Sequence, residues 1–482
     1  MTDLRPVRSA AIALASLVVL GAGAASCRAQ SPPLEAGESV ARPEPADAAA
    51  PSVAEIAERR ARALARLDKN GLLLLRSGEE SESSVSGFRP DPDFYYLTGL
   101  AEPDAILVLD PAAAVGGSAE ILFLEPANPR RELWDGPRLT PGPEAVRRSG
   151  IAKVLPVSDL DGLWDGLLRG KKTIVTNAPR SPRGEPPTGD LRRIAEILAP
   201  EPVAAADGAG RGPSSDAASE SRPAADDAAL PYAIRRPSHA LAALRQVKSP
   251  AEIECVRRAI DATCDALRAA MSAARPGLPE YRLQALIEFT FRDRGCERPA
   301  FASIVGSGPN SCVLHYRSNR RTMEAGDLVV MDVGGEYRGY AADVTRTIPV
   351  SGRFTPEQRA IYDIVLRAQA AGIAKVAPGA SMRDVHRAAH AVIEEAGYGK
   401  LFLHGTSHWV GLDVHDVGTE STLRPGMILT VEPGIYLAEK SIGVRIEDTV
   451  LVTETGCEVL SDGVTKDPAE IEAIMGARSA AR

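Results

Sequence analysis

The sequence predicts an α+β protein built from two unequal domains, and three observations carry that prediction. Short apolar runs alternate with helical patterns over residues 53–200, which reads as a smaller α/β domain. From Pro250 onward, long helical patterns are set among strands that read as a mostly antiparallel sheet, the mark of α+β. Between the two, residues 201–235 are largely low complexity, with almost no large apolar side chain from 203 to 230, and read as an insert or linker.

The 482 residues are 44% hydrophobic and 25% charged, an ordinary globular balance with room for more than one core. A net charge of −8 argues against a nucleic-acid partner. The six cysteines show no paired-thiolate spacing, so neither a thiolate zinc site nor a full disulfide framework is indicated.

In chain order, residues 1–27 read as an export signal: Arg5 and Arg8, an apolar run from Ala10 to Ala25, then small residues before Cys27. The exit resembles a bacterial lipoprotein processing site, which implies a lipid on Cys27 as a membrane tether. Cleavage after an alanine with Cys27 unmodified, and an uncleaved anchor, are the alternatives. The expected location is the periplasm or cell envelope. Residues 28–52, rich in Pro, Ala and Glu, read as a disordered tether. A helix is predicted over 53–67, strands over 71–75, 106–109, 121–124 and 173–175, and helices over 141–149 and 190–198.

In the second domain, Ser249-Pro250-Ala251-Glu252 reads as a capped helix start. Helices are predicted over 250–274, 279–294, 356–376 and 381–396. Strands are predicted near 301–306, 312–316, 327–333, 340–349, 427–432, 443–453 and 457–460.

Two hairpins carry the chemistry. Asp332 and Asp343 flank the turn-like Gly334–Gly339, and a regular hairpin centred between Tyr337 and Arg338 sets them face to face. Glu432 and Glu447 flank a second turn with its centre between Glu439 and Lys440. Buried carboxylates set opposite each other keep a proton or bind a cation. Close by in sequence, Leu403–His415 holds three of the seven histidines, His404, His408 and His415. Four carboxylates and one imidazole suit two divalent metals, manganese first, with zinc, cobalt or iron as alternatives. Two such ions hold a bridging hydroxide and polarise a carbonyl. Taken singly, an Asp in a strand caps a neighbour more often than it binds metal; the mirrored spacing favours ligands. His386 and His390 share a helix face and read as non-catalytic, and His239 is assigned no role.

These residues bring a family into view. Ile304-Val-Gly-Ser-Gly-Pro-Asn310, Met331-Asp-Val-Gly334, Asp343-Val-Thr-Arg-Thr347, His404-Gly-Thr-Ser-His408-Trp409, Leu429-Thr-Val-Glu-Pro-Gly434 and Gly443-Val-Arg-Ile-Glu-Asp448 resemble the pita-bread metallopeptidases, closest to aminopeptidase P and next to prolidase. Asp93-Phe-Tyr-Tyr-Leu-Thr-Gly99 resembles the amino-terminal domain of the same proteins. The resemblance implies a pita-bread catalytic domain over 243–478, with Asp332, Asp343, His408, Glu432 and Glu447 as metal ligands. It implies substrate-facing roles for His315, His404 and His415, and an orienting role for Arg445. The implied reaction is hydrolysis of an amino-terminal Xaa-Pro bond by a hydroxide bridging two metals, with Glu432 moving the proton. The implied substrates are peptides with proline second. Trp134 matches a tryptophan that lines the site across an oligomer interface in some relatives, which implies a homo-oligomer. Phe301 departs from the tyrosine that relatives often carry, which puts the tuning of the metal shell in question. Prolidase, cleaving only dipeptides, is the rival enzyme; a metal-free hydrolase or peptide-binding relative is the rival class, and the presence of all five ligand positions counts against it.

Overall fold

A computed structural model describes residues 50–80, 87–177 and 232–476. The expected signal, the expected tether through residue 49, the helix expected at 190–198 and the stretch 203–230 lie outside these residues.

Leucine-rich runs bury both faces of the first domain's sheet. Strands β1 (Gly71–Arg76), β2 (Ile106–Leu109), β3 (Glu120–Leu124), β4 (Val154–Pro156), β5 (Thr173–Thr176) and β6 (Ala233–Arg235) form one sheet in the order β4-β3-β2-β1-β5-β6. Alternation sends Leu73, Leu75, Leu107 and Leu109 into the core shared with the second domain, and Leu72, Leu74, Ile106 and Val108 into a separate cluster with Leu160 and Leu167. Burying one such side chain fully contributes roughly 1.5–3 kcal/mol, so a strand apolar on both faces is strongly committed to the interior. The linker expected through residue 235 is corrected at its end: β6 pairs in parallel with β5 as the edge of this sheet.

In the second domain the four predicted helices fall at Pro250–Ala273, Glu280–Asp293, Pro356–Ile373 and Met382–Glu395. Ser249 caps the first through a capping box with Glu252. Strands β7 (Arg298–Pro299), β8 (Ile304–Ser307), β9 (Leu328–Val333), β10 (Gly335–Tyr337), β11 (Tyr340–Ala341) and β12 (Val344–Pro349) follow the first helix pair. Strands β13 (Ile428–Val431), β14 (Gly434–Leu437), β15 (Ile442–Arg445), β16 (Asp448–Val452) and β17 (Cys457–Val459) follow the second pair. Each half is thus two helices followed by an antiparallel hairpin whose arms are each interrupted near an acidic residue. The strand expected at 312–316 does not form; a 3-10 turn, Gly308–Cys312, leads into a loop instead.

The first hairpin corrects the expected register. Its tight turn is Arg338-Gly339, both at positive φ (49° and 77°), so Asp332 pairs with Thr345 rather than Asp343. Continuing that register sets Asp343 opposite Gly334, and the two aspartates become diagonal neighbours. In the second hairpin, Val431 pairs with Asp448 and Gly434 with Arg445, so the register on both sides sets Glu432 opposite Glu447 as expected.

A buried ion pair joins the hairpins. Arg346 of β12 and Asp448 of β16 are both fully buried and lie 2.8 Å apart. Asp448 also accepts from Gln369 Nε2 at 2.9 Å, Ser461 Oγ at 2.7 Å and Lys466 Nζ. Arg346 donates to the carbonyls of Thr345 and Glu447 at 2.9 and 2.6 Å. Burial raises the Asp448 carboxyl, but Arg346 and Lys466 overcome it and hold the pKa at about 2. A depressed folded-state pKa gives stability that is complete above the unfolded value of about 3.9 and is lost as pH falls through the folded one. Asp448→Asn is expected to cost about 3–5 kcal/mol, because Arg346 is left uncompensated. In chemical denaturation the variant should also lose less stability than the parent between about pH 4 and pH 2; equal stability and equal acid sensitivity would count against this role.

Candidate metal centre

The acidic residues sit where the strands break. Asp332 is the penultimate residue of β9, Asp343 immediately precedes β12, Glu432 follows β13 and Glu447 precedes β16. His408 comes from the segment beside β13, tied by the Thr430 N–H to the His408 carbonyl at 3.0 Å and by the His408 N–H to Thr430 Oγ1 at 3.1 Å.

The five side chains face one space. His408 Nε2 lies 3.4 Å from Asp343 Oδ2 and 3.5 Å from Glu432 Oε1. Asp343, His408 and Glu447 each bring a ligand atom within 4.8 Å of the others. His408 Nδ1 is 3.1 Å from the Trp409 carbonyl, which can only accept, so that nitrogen carries the proton and Nε2 turns its lone pair inward. Asp343 and Glu447 are 5% and 1% exposed. Burial, reinforced by repulsion from the neighbouring carboxylates, raises both well above the usual carboxylate range. Asp332 Oδ1 is buried with no hydrogen-bond partner among the described residues. Clustered acids that resist ionising together, and an orphaned buried oxygen among them, are what a divalent cation would satisfy.

Several side chains hold this set in place. Arg445 Nη2 donates to Asp332 Oδ2 at 2.7 Å, and Nη1 donates to Tyr436 OH at 3.0 Å. Tyr436 in turn lies 2.8 Å from His404 Nε2, and His404 Nδ1 is 2.8 Å from the Gly405 carbonyl. That acceptor fixes the tautomer: Nδ1 is protonated and Nε2 accepts from Tyr436. Thr345 Oγ1 donates to Glu447 Oε2 at 2.7 Å. His415 lies beside His408, ring centres 4.1 Å apart and planes tilted by 45°. His315 is exposed on a loop organised by Glu280, whose buried carboxylate accepts from Ser307 Oγ at 2.7 Å, Tyr316 OH at 2.9 Å and the Arg321 N–H at 2.9 Å. No role is assigned to Tyr436, Thr345 or Glu280 from the sequence, because what each side chain bonds is set only when separate elements fold together. His386 is bonded to Thr406 Oγ1 at 2.8 Å, and the Thr406 carbonyl accepts the Glu432 N–H at 2.9 Å, so it touches the centre's support and not the centre.

Residues 254–454 match Metallopeptidase family M24, and residues 56–175 match the aminopeptidase P amino-terminal domain. The chain belongs to the M24 metallopeptidases. Within them its similarity is to aminopeptidase P, along the length of both domains. The Xaa-Pro aminopeptidase of Escherichia coli is 35% identical over 436 residues, 82% of this chain and 90% of that protein. The structure of Pseudomonas aeruginosa aminopeptidase PepP superposes with a TM-score of 0.75 at 34% identity, covering 89% of this chain and 99% of that one. The Xaa-Pro dipeptidase of Pyrococcus furiosus is 40% identical, but over 223 residues, 45% of this chain and 64% of that protein.

Because Asp343 and Glu447 are raised in the folded state, ionising them without a cation costs stability as pH rises above the unfolded carboxylate range of about 4. Chelator-treated protein should therefore melt below the metal-loaded protein at about pH 7.5, with the gap closing toward about pH 5. Asp343→Ala should lose bound metal while keeping the parent's circular dichroism. Identical melting with and without chelator, or full metal content in the variant, would contradict this reading.

Proposed function

We propose that the protein is a two-metal Xaa-Pro aminopeptidase that releases the first residue of peptides with proline second. The observation that carries the reading is the convergence of Asp343, Glu432, Glu447 and His408 on one space, with the Asp332 carboxylate beside Asp343. Those five residues would hold two divalent ions, manganese favoured by the oxygen-rich donor set. When bound, the ions supply a polarised scissile carbonyl and a water acidic enough to attack at neutral pH.

The chain's own groups do the rest. Glu432, half-buried beside His408, takes the proton from the attacking water and passes it to the leaving proline nitrogen. His415 donates a hydrogen bond to the oxygen on which negative charge develops. Burial pushes its pKa down and the neighbouring His408 adds to that, so it works as a neutral donor at pH 7. His404, also held low by burial, borders the proline subsite with its tautomer set by Tyr436 and Gly405. His315 contacts substrate from its exposed loop. The aminopeptidase reading is preferred to prolidase because similarity to the E. coli aminopeptidase runs through both domains, whereas similarity to the dipeptidase covers 45% of the chain.

The exposure of Leu133 and Trp134, 82% and 85% on the helix Pro129–Asp135, supports a homo-oligomer in which a second copy covers this face. The amino-terminal signal pattern supports export to the cell envelope, with a lipid on Cys27 as tether.

With manganese supplied, an Xaa-Pro-Yaa tripeptide should be cleaved in preference to an Xaa-Pro dipeptide; the reverse order identifies a prolidase. His415→Ala should keep its metal and lose about 10²–10³ in kcat with a smaller change in KM, whereas His408→Ala should lose metal itself. Exchanged outcomes would show that the two roles are reversed. Cys27→Ser should move the protein from the membrane to the soluble envelope fraction, and an unchanged membrane fraction would speak against the lipid.

A further inference from the structure

The loop bearing His415 is gripped from outside the metal centre, and the grip begins in the amino-terminal domain. Arg245, 3% exposed at the end of the helix Ser238–Gln246, reaches three carboxylates. Its Nη1 donates to Asp93 Oδ1 at 2.8 Å, and its Nη2 to Asp416 Oδ1 at 2.5 Å and Asp413 Oδ2 at 3.2 Å. Asp93 opens the helix Pro92–Thr98 of the first domain; Asp413 and Asp416 flank His415. Lys248 Nζ completes the set at 3.1 Å from Asp416 Oδ2.

A second residue of the first domain holds the same loop. Arg89 Nη2 donates to the Leu412 carbonyl at 2.6 Å and to Asp413 Oδ1 at 3.4 Å, while its Nε donates to Glu336 at 2.6 Å. Gln246 secures the far end: its side-chain oxygen accepts the Thr419 and Glu420 N–H groups at 3.0 Å each, and its Nε2 donates to the Glu420 carbonyl at 2.8 Å. The packing leaves no slack, since a Cβ on Gly411 would lie 2.1 Å from Asp416 Oδ2 and 2.8 Å from the Lys248 chain.

A hydrogen-bond donor that acts on developing charge must be held where that charge will be, because a misplacement of about 1 Å can cost 10²-fold in rate. None of Arg89, Asp93 and Arg245 is among the five residues that face the metal space, yet together they fix the backbone on both sides of the imidazole. We propose that the amino-terminal domain is a working part of the active site, with Asp93 and Arg89, acting together with Arg245, positioning His415. The inference rests on the reading of His415 as an oxyanion donor.

The test uses the full chain loaded with manganese and an Xaa-Pro-Yaa peptide. Arg245→Met and Asp93→Asn are made alone and in a His415→Ala background, with metal content, melting temperature, KM and kcat measured for each. Arg245→Met should keep its metal and lose about 10- to 100-fold in kcat, with a much smaller change in KM. In the His415→Ala background the same change should lower kcat by no more than about twofold, because residues that act as a unit are not additive. If Arg245→Met does not fold, Asp93→Asn, which keeps the side chain's shape, should show a smaller loss with the same non-additivity. Unchanged kcat per metal-loaded chain, or full multiplication of the two losses, would overturn the proposal and leave the network as a structural staple. If His415→Ala alone has normal kcat, the reading of His415 fails, and the proposal with it, whatever Arg245 shows.

Discussion

Mutual repulsion of four carboxylates is the constraint on which the carboxy-terminal domain depends. Asp343 and Glu447 are held in the interior within reach of Asp332 and Glu432, and both resist ionisation there. A single sheet edge would relieve such repulsion by moving apart. This fold prevents it by drawing the four groups from two hairpins and locking the hairpins together one residue away from the site. Arg346 binds the Thr345 and Glu447 carbonyls and the Asp448 carboxylate at once, so the backbone of Glu447 and of Thr345, which donates to the Glu447 carboxylate, cannot drift. The strain of assembling like charges is carried by a fully buried, fully hydrogen-bonded ion pair, the arrangement in which breaking one partner is most costly.

Much of this was legible in the sequence, for physical reasons that differ between elements. Ser249 and Glu252 announce a helix start because the capping box is local chemistry. The opposition of Glu432 and Glu447 was readable because no extra residue disturbs the second hairpin between Val431 and Asp448. The first hairpin misled because Arg338 adopts a left-handed conformation, φ 49°, that a non-glycine residue rarely signals; the turn moves by one residue and the pairing by two. The strand expected at 312–316 gave way to a loop gathered around Glu280, a partner more than 25 residues earlier along the chain. β6 was hidden in a polar stretch because three residues pairing in parallel at an edge carry no pattern of their own.

Of the residues that the sequence named, the structure brings Asp343, His408, Glu432 and Glu447 into one cluster, with Arg445 bonded to Asp332 and His415 beside His408. Those the sequence did not name support them: Tyr436 between Arg445 and His404, Thr345 on Glu447, and Arg245 on the His415 loop. Support is a property of the assembled chain, and a side chain whose partner arrives from another element leaves no spacing to read. The continuous core joining both domains makes the same point on a larger scale. Leu73 and Leu107 of the first sheet pack into one cluster with Val256 and Ile260 of the second domain, so the two are one mechanical unit around the site.

The central claim is that two hairpins together build one site for two cations. Anomalous diffraction from crystals grown with manganese tests it most directly. The account predicts two peaks per chain, about 3.5–4 Å apart, lying between the hairpins and within bonding distance of Asp343 and Glu447. A single peak, or metal bound elsewhere with the four carboxylates left facing one another, would contradict it.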